Sequence, residues 1–137
     1  ADLFPQPRLS DLPALAEQLS STGLPVQVTV AGEPPELPIG VELTGFRIVQ
    51  EALTNTIKHA GPSQATVHIR YRPDEVVIVV TDDGRGLAAT LDSGTPGHGL
   101  IGMRERVALY GGTLSVGPRS GGGFQVSAHI PYDRAAV

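Results

Sequence analysis

From Ile39 to Ala60 the chain carries no proline, and Gly61-Pro62 closes the run. Within it Phe46, Val49, Leu53, Ile57 and Ala60 step by threes and fours, the spacing of one apolar face of an α-helix. Two strand patterns follow at once, Ala65 to Tyr71 and Glu75 to Thr81, joined by Arg72-Pro73-Asp74, which is economical as a hairpin. The second contains Val76-Val77-Ile78-Val79-Val80, apolar throughout, and such a strand belongs deep in a sheet. A long one-sided helix followed by strands of this kind specifies a helix layer on a sheet.

The flanks fit that frame. Residues 1–8, with Pro5 and Pro7, read as a linker. Ser10 is a candidate N-cap for a first helix with Pro13 in its first turn, an apolar stripe at Leu12, Leu15, Ala16 and Leu19, and Gly23 as its stop. Val26 to Val30 alternates as a half-buried strand, and a connector with Pro34, Pro35 and Pro38 leads to the long helix. Ile101 to Tyr110 reads as a helix stopped by Gly111-Gly112, with Gly97, Gly99 and Gly102 leading into it. Strands at Thr113 to Val116 and Phe124 to Ile130 complete a mixed sheet with helices on one face, an α+β two-layer sandwich.

At 137 residues this is one core's worth of chain. The expected division is a linker and first helix over 1–23, a ligand-binding domain over 24–132 and a tail over 133–137. A formal charge of −4 and only three Phe, three Tyr and no Trp argue against nucleic-acid binding, which calls for basic patches and stacking aromatics. No run approaches the ~20 apolar residues of a membrane span, and the start does not read as a signal peptide. The absence of cysteine excludes disulfides and thiolate metal sites and fits a reducing cytoplasm. A first residue other than Met suggests a piece of a longer protein.

Projected at about 100° per residue, Glu51, Asn55, Lys58 and His59 share an arc of roughly 100° on the long helix, away from its apolar stripe. Such an arc is ordinarily a solvated face. Its composition is nevertheless unusual, because Asn is a mediocre helix former. An amide oxygen is a suitable ligand for Mg²⁺. Lys58 and His59 could meet phosphate oxygens, and Glu51 could accept a proton or orient water. Asp82 ends an apolar strand, where an unpaired carboxylate is costly, and could accept a hydrogen bond from an exocyclic amine. Gly84 and Gly86 beside it would let backbone approach a flat ring, or simply make a turn. The glycines at 97, 99 and 102 would suit an anion at a helix start, or a plain flexible loop.

In order, the motifs are "QEALTNTIKHA", "DDGRG" and "GHGLIGM". Together they resemble the N box and two glycine boxes of the catalytic, ATP-binding domain of sensor histidine kinases, which has the Bergerat (GHKL) ATPase fold. Finer stretches, "FRIVQEALTNTIKHA", "GLIGMRERVALYGGTLSV" and "GGGFQVSAHIPY", are similar to the NarX/DesK-like subfamily. The resemblance covers about residues 24–132.

That resemblance implies ATP and Mg²⁺ as cofactors. Asp82 would bind the adenine amino group, with Gly84, Gly86 and Leu87 shaping the pocket. Asn55 would ligate Mg²⁺, Lys58 and His59 would lie by the phosphates, and Glu51 would sit in the catalytic water and metal network. Gly97, His98, Gly99, Leu100, Gly102 and Met103 would close on the nucleotide, and Ala88 to Pro96 would form its lid. Phe124 stands where many members carry a Thr. No histidine here sits in a phosphoacceptor motif, and His68 and His129 read as structural. The implied partners are a separate dimerisation and phosphoacceptor domain and a response-regulator receiver domain, with no direct nucleic-acid or membrane contact. The expected location is cytoplasmic. Other readings are an ATPase of the topoisomerase or MutL kind, a non-catalytic ATP sensor and an anti-sigma-factor serine kinase.

Overall fold

The structure, a computed structural model, describes residues 6–59, 64–84, 97–119 and 122–132. The elements are α1 (Leu12–Ser21), β1 (Val26–Ala31), α2 (Ile39–His59), β2 (Ala65–Tyr71), β3 (Glu75–Asp82), α3 (Gly97–Leu109), β4 (Thr113–Pro118) and β5 (Phe124–Pro131). The five strands form one sheet in the order β1-β2-β3-β5-β4. β1 pairs parallel with β2, and every other pairing is antiparallel. This is the expected mixed sheet of an α+β sandwich.

Strand alternation decides which side is covered. Val67, Ile69, Val76, Ile78, Val80, Val126, Ala128 and Ile130 turn to one face and are buried there with Val41, Ile48, Val49 and Leu53 of α2 and Val107 of α3. The opposite face carries His68, Arg70 and Gln125, all exposed. Strand β3 is central, as its apolar run demands, yet Val77 and Val79 lie on the open face and are only half-buried. The first helix joins the same core through Leu12 and Ala16. Leu9, in a 3₁₀ turn over Leu9–Asp11, is wedged beside Gly45 of α2 and Ile78 of β3.

Three local expectations are corrected, and a fourth, the end of α2 at Ala60, falls outside the described residues. Asp11, not Ser10, is the N-cap of α1, because the 3₁₀ turn absorbs Ser10. Helix α2 is described only to His59, and Ala60 lies outside the described residues. Helix α3 begins at Gly97, so its glycine cluster forms its first turn instead of a loop before it. Phe46, Val49 and Leu53 of the expected stripe are buried, but the core-facing arc of α2 is centred about a quarter of a revolution away from that stripe. Ile57 is 52% exposed, whereas Ile48, Ala52, Asn55 and Thr56 face inward.

Candidate functional site

The turned helix carries Asn55 out of the solvated arc and into the interior, where it is 4% exposed. Its Nδ2 finds no hydrogen-bond partner among the described residues. A buried amide left unpaired is destabilising, so this side chain is poorly explained by folding alone. Rotation about its last torsion exchanges nitrogen for oxygen, so the same position can present a donor or a hard acceptor. Among the described residues no three His, Cys, Asp or Glu side chains cluster to cage a metal. A divalent cation here would be held by an amide oxygen together with ligand oxygens and water, a donor set that Mg²⁺ accepts readily.

Thr56, one residue further on, is equally buried and reaches across the layers. Its Oγ1 lies 3.1 Å from Oδ2 of Asp82 at the end of β3, and 3.1 Å from the Ala52 carbonyl one helical turn back. Asp82 is itself 4% exposed. Its Oδ1 accepts the Gly84 backbone N–H at 3.0 Å, so each carboxylate oxygen has a donor.

The backbone of Asp82 is held too. It pairs with Ala65 on one side and Phe124 on the other, and its carbonyl accepts Arg119 Nη1 at 3.3 Å. Gly123 packs against that carbonyl with φ +94°, and a β-carbon there would overlap it. Only glycine meets both conditions at low cost. Phe124 is buried in the core beside this strand end and offers no hydroxyl.

A second junction joins α2 to α3, which run antiparallel with Gly40 near Tyr110 and Glu51 near Gly99. The Glu51 carboxyl group lies where a β-carbon on Gly99 would sit. Gly99 is in the first turn of α3, where the exposed amides and the helix dipole favour an anion such as the half-buried Glu51. Leu100 is buried and Met103 partly so, both against the core, whereas Gly102 is exposed. Lys58 is exposed at the end of α2.

Glu51, Asn55, Asp82, Gly84, Gly99 and Leu100 are thus brought to one region by α2, β3 and α3. His59, Gly97 and His98 are placed within helices, His59 at the end of α2 and the other two at the start of α3. Gly86, Leu87 and the segment 88–96 lie outside the described residues. His68 and His129 are elsewhere, on the open face. The His68 ring meets the Thr29 hydroxyl at 2.5 Å, and His129 Nδ1 lies 3.5 Å from Glu75 Oε1. Sequence reasoning missed Thr56, Arg119 and Gly123. Thr56 had a signal: Ile48, Ala52 and Thr56 step by four on the inward arc.

The family described as "Histidine kinase-, DNA gyrase B-, and HSP90-like ATPase" matches residues 40–134. Among curated proteins, the chain is 31% identical over 110 residues to "Sensor histidine kinase LnrJ" of Bacillus subtilis, covering 80% of this chain and 26% of that protein. It is 36% identical over 110 residues to "Signal transduction histidine-protein kinase/phosphatase DegS" of Brevibacillus brevis, covering 80% and 28%. It is also 36% identical over 114 residues to "Signal transduction histidine-protein kinase/phosphatase UhpB" of Salmonella typhimurium, covering 83% and 22%. The chain therefore spans about a quarter of the length of these relatives. Among solved structures, the histidine kinase domain of the blue-light activated histidine kinase of Erythrobacter litoralis EL346 superposes with TM-score 0.66 at 25% identity, covering 90% of this chain and 63% of that one. Among the described residues no helix is long and apolar enough to cross a membrane.

Proposed function

The chain belongs to the histidine kinase-, DNA gyrase B- and HSP90-like ATPase family, as an ATPase domain of the sensor histidine kinase type, and from that premise we propose that it hands the γ-phosphoryl group of ATP to a histidine on a separate dimerisation domain. A response-regulator receiver domain would then take the phosphoryl group onward, and the work would be done in the cytoplasm. The observation that supports this reading best is the Thr56–Asp82 contact, which sets the helical turn bearing Asn55, whose Nδ2 has no partner among the described residues, against a buried, doubly hydrogen-bonded carboxylate.

Each residue has a task that its position suits. Asp82, an oriented acceptor at the end of β3, would receive the adenine amino group, with the Gly84 backbone alongside. The first turn of α3, from Gly97 to Leu100, would offer backbone amides to phosphate oxygens, with Gly102 in the turn that follows. Lys58 and His59 would add positive charge there. Asn55 would hold Mg²⁺ through its amide oxygen, and the ion when bound supplies charge neutralisation on the triphosphate. Glu51 would orient the water around the phosphates or hold a proton on its carboxylate. In the transfer a histidine nitrogen attacks the γ-phosphorus, a P–N bond forms, the bond to the bridging oxygen breaks, and ADP leaves. Little covalent chemistry falls to this domain, since such a transfer is governed by positioning and electrostatics.

The test is transfer in trans. Purified domain, Mg-ATP and a separately supplied cognate dimerisation domain should yield acid-labile, base-stable phosphate on the latter. No transfer despite normal ATP binding would reject histidyl phosphotransfer. Asp82→Asn should abolish nucleotide binding, and unchanged affinity would refute the adenine assignment.

A further inference from the structure

We propose that Thr56 is a positioning residue that aims the base-reading carboxylate and so sets the preference of this site for a 6-amino over a 6-keto purine. This rests on the reading of Asp82 as the adenine acceptor. The backbone of Asp82 is already fixed by strand pairing on both sides and by Arg119 on its carbonyl. What remains free in such a residue is rotation of the side chain, and two donors on two different oxygens remove it. Gly84 N–H serves Oδ1, and the Thr56 hydroxyl reaches Oδ2.

The Thr56 hydroxyl has one proton and two acceptors at equal distance, the Ala52 carbonyl and Asp82 Oδ2. A bond to an ionised carboxylate is roughly twice as strong as one to a neutral carbonyl. The Thr56 hydroxyl therefore donates to Asp82 Oδ2. With both groups 4% exposed, water competes little for it.

The Gly84 donor is only two residues away along the chain and anchors one oxygen alone. The second anchor comes from another layer of the fold, 26 residues away in sequence. Held at both oxygens by protein donors, the carboxylate keeps its remaining lone pairs in fixed directions and presents only acceptors. An exocyclic amine completes such a site. A keto oxygen would set acceptor against acceptor with no proton between them, leaving the keto group unpaired. Without Thr56 the carboxylate can swing about its single remaining bond, losing alignment with an amine and relieving its conflict with a keto group.

The experiment compares Thr56→Val, which keeps shape and branching, with Thr56→Ser, which keeps the hydroxyl. Binding of ATP and of ITP is measured on folded protein, with Thr56→Ala read in the same way should the valine variant not fold. Thr56→Val is expected to weaken ATP by about tenfold, the scale of one lost charge-assisted hydrogen bond, with little change for ITP. The ratio of ATP to ITP affinity then narrows by about the same factor, and Thr56→Ser stays within about twofold of the parent. A valine variant with the parental ratio, or a serine variant as impaired as the valine one, would overturn the proposal. A parent domain that binds neither nucleotide would instead overturn the ATP reading itself, and this proposal with it.

Discussion

Asn55→Ala should make the ligand-free domain more stable, although it removes a residue placed at the heart of the site. Asn55 is 4% exposed and its Nδ2 is unpaired among the described residues. An unsatisfied buried polar group costs about 1–3 kcal/mol, and Ala is better than Asn inside a helix by about 0.5 kcal/mol. Against this stand the lost contacts of three side-chain atoms, about 1 kcal/mol. The balance is a gain of about 1–2 kcal/mol. For a domain of this size that corresponds to a rise in Tm of very roughly 3–8 °C. Asn55→Asp, nearly the same shape but charged, should instead destabilise by about 2 kcal/mol or more, because the carboxylate would be buried without a partner.

The assay is urea and thermal unfolding without ligand, repeated with saturating Mg-ATP. At a ligand concentration of 100 Kd the parent gains about 2.7 kcal/mol from binding. The alanine variant should gain far less, so the two stabilities cross. A residue kept at a cost to folding is what a binding site requires. If Asn55→Ala lowers ligand-free stability by about 1 kcal/mol or more, the amide is satisfied by the fold and the reasoning fails.

Three further outcomes are expected. Gly123→Ala combines a left-handed φ of +94° with overlap on the Asp82 carbonyl, so it should destabilise by about 2–4 kcal/mol in denaturant titration and weaken ATP binding as well. Gly99→Ala meets only the mobile end of Glu51, so unfolding should change by less than about 1 kcal/mol while the transfer rate falls. A variant with normal transfer would remove Glu51 from the proposed machinery. The Tyr71 phenol is pushed up to about 12 from 10.0, by burial first and then by Glu42 and Tyr132. The folded state thus holds this proton more tightly than the unfolded chain. The stability it confers is complete below pH 10.0 and is lost as pH rises through about 12, a slope that Tyr71→Phe should flatten in urea midpoints measured across that range.

Much of the fold was legible because it is written in local pattern. The period of α2, the hairpin of β2 and β3, the apolar run of β3 and the glycine stops after α1 and α3 report short-range preferences that the tertiary structure preserved. The glycine and carboxylate motifs each left a plain turn or loop open, and it was their joint order that carried the family resemblance, which the family match over residues 40–134 bears out. Apart from two helix starts, at Asp11 and Gly97, the error lay in the phase of one helix. Periodicity gives the face of a helix, but where apolar and polar residues interleave it does not fix the phase. Apolarity favoured Ile57 as core and Asn55 as surface, and the opposite is found, because near its end the inward side of α2 faces the strand end carrying Asp82.

The sequence by itself thus determined the elements, the single aliphatic core and the motifs that carry the family resemblance. Only the tertiary structure decided that β5 enters between β3 and β4, so that Phe124 lies beside Asp82 and Gly123 packs on the Asp82 carbonyl. It also decided that Thr56 would be the side chain to hold that carboxylate. A hydrogen bond between residues 26 positions apart leaves no trace in local propensity. It exists because two layers pack at one distance and in one register, and that is settled by the whole core at once.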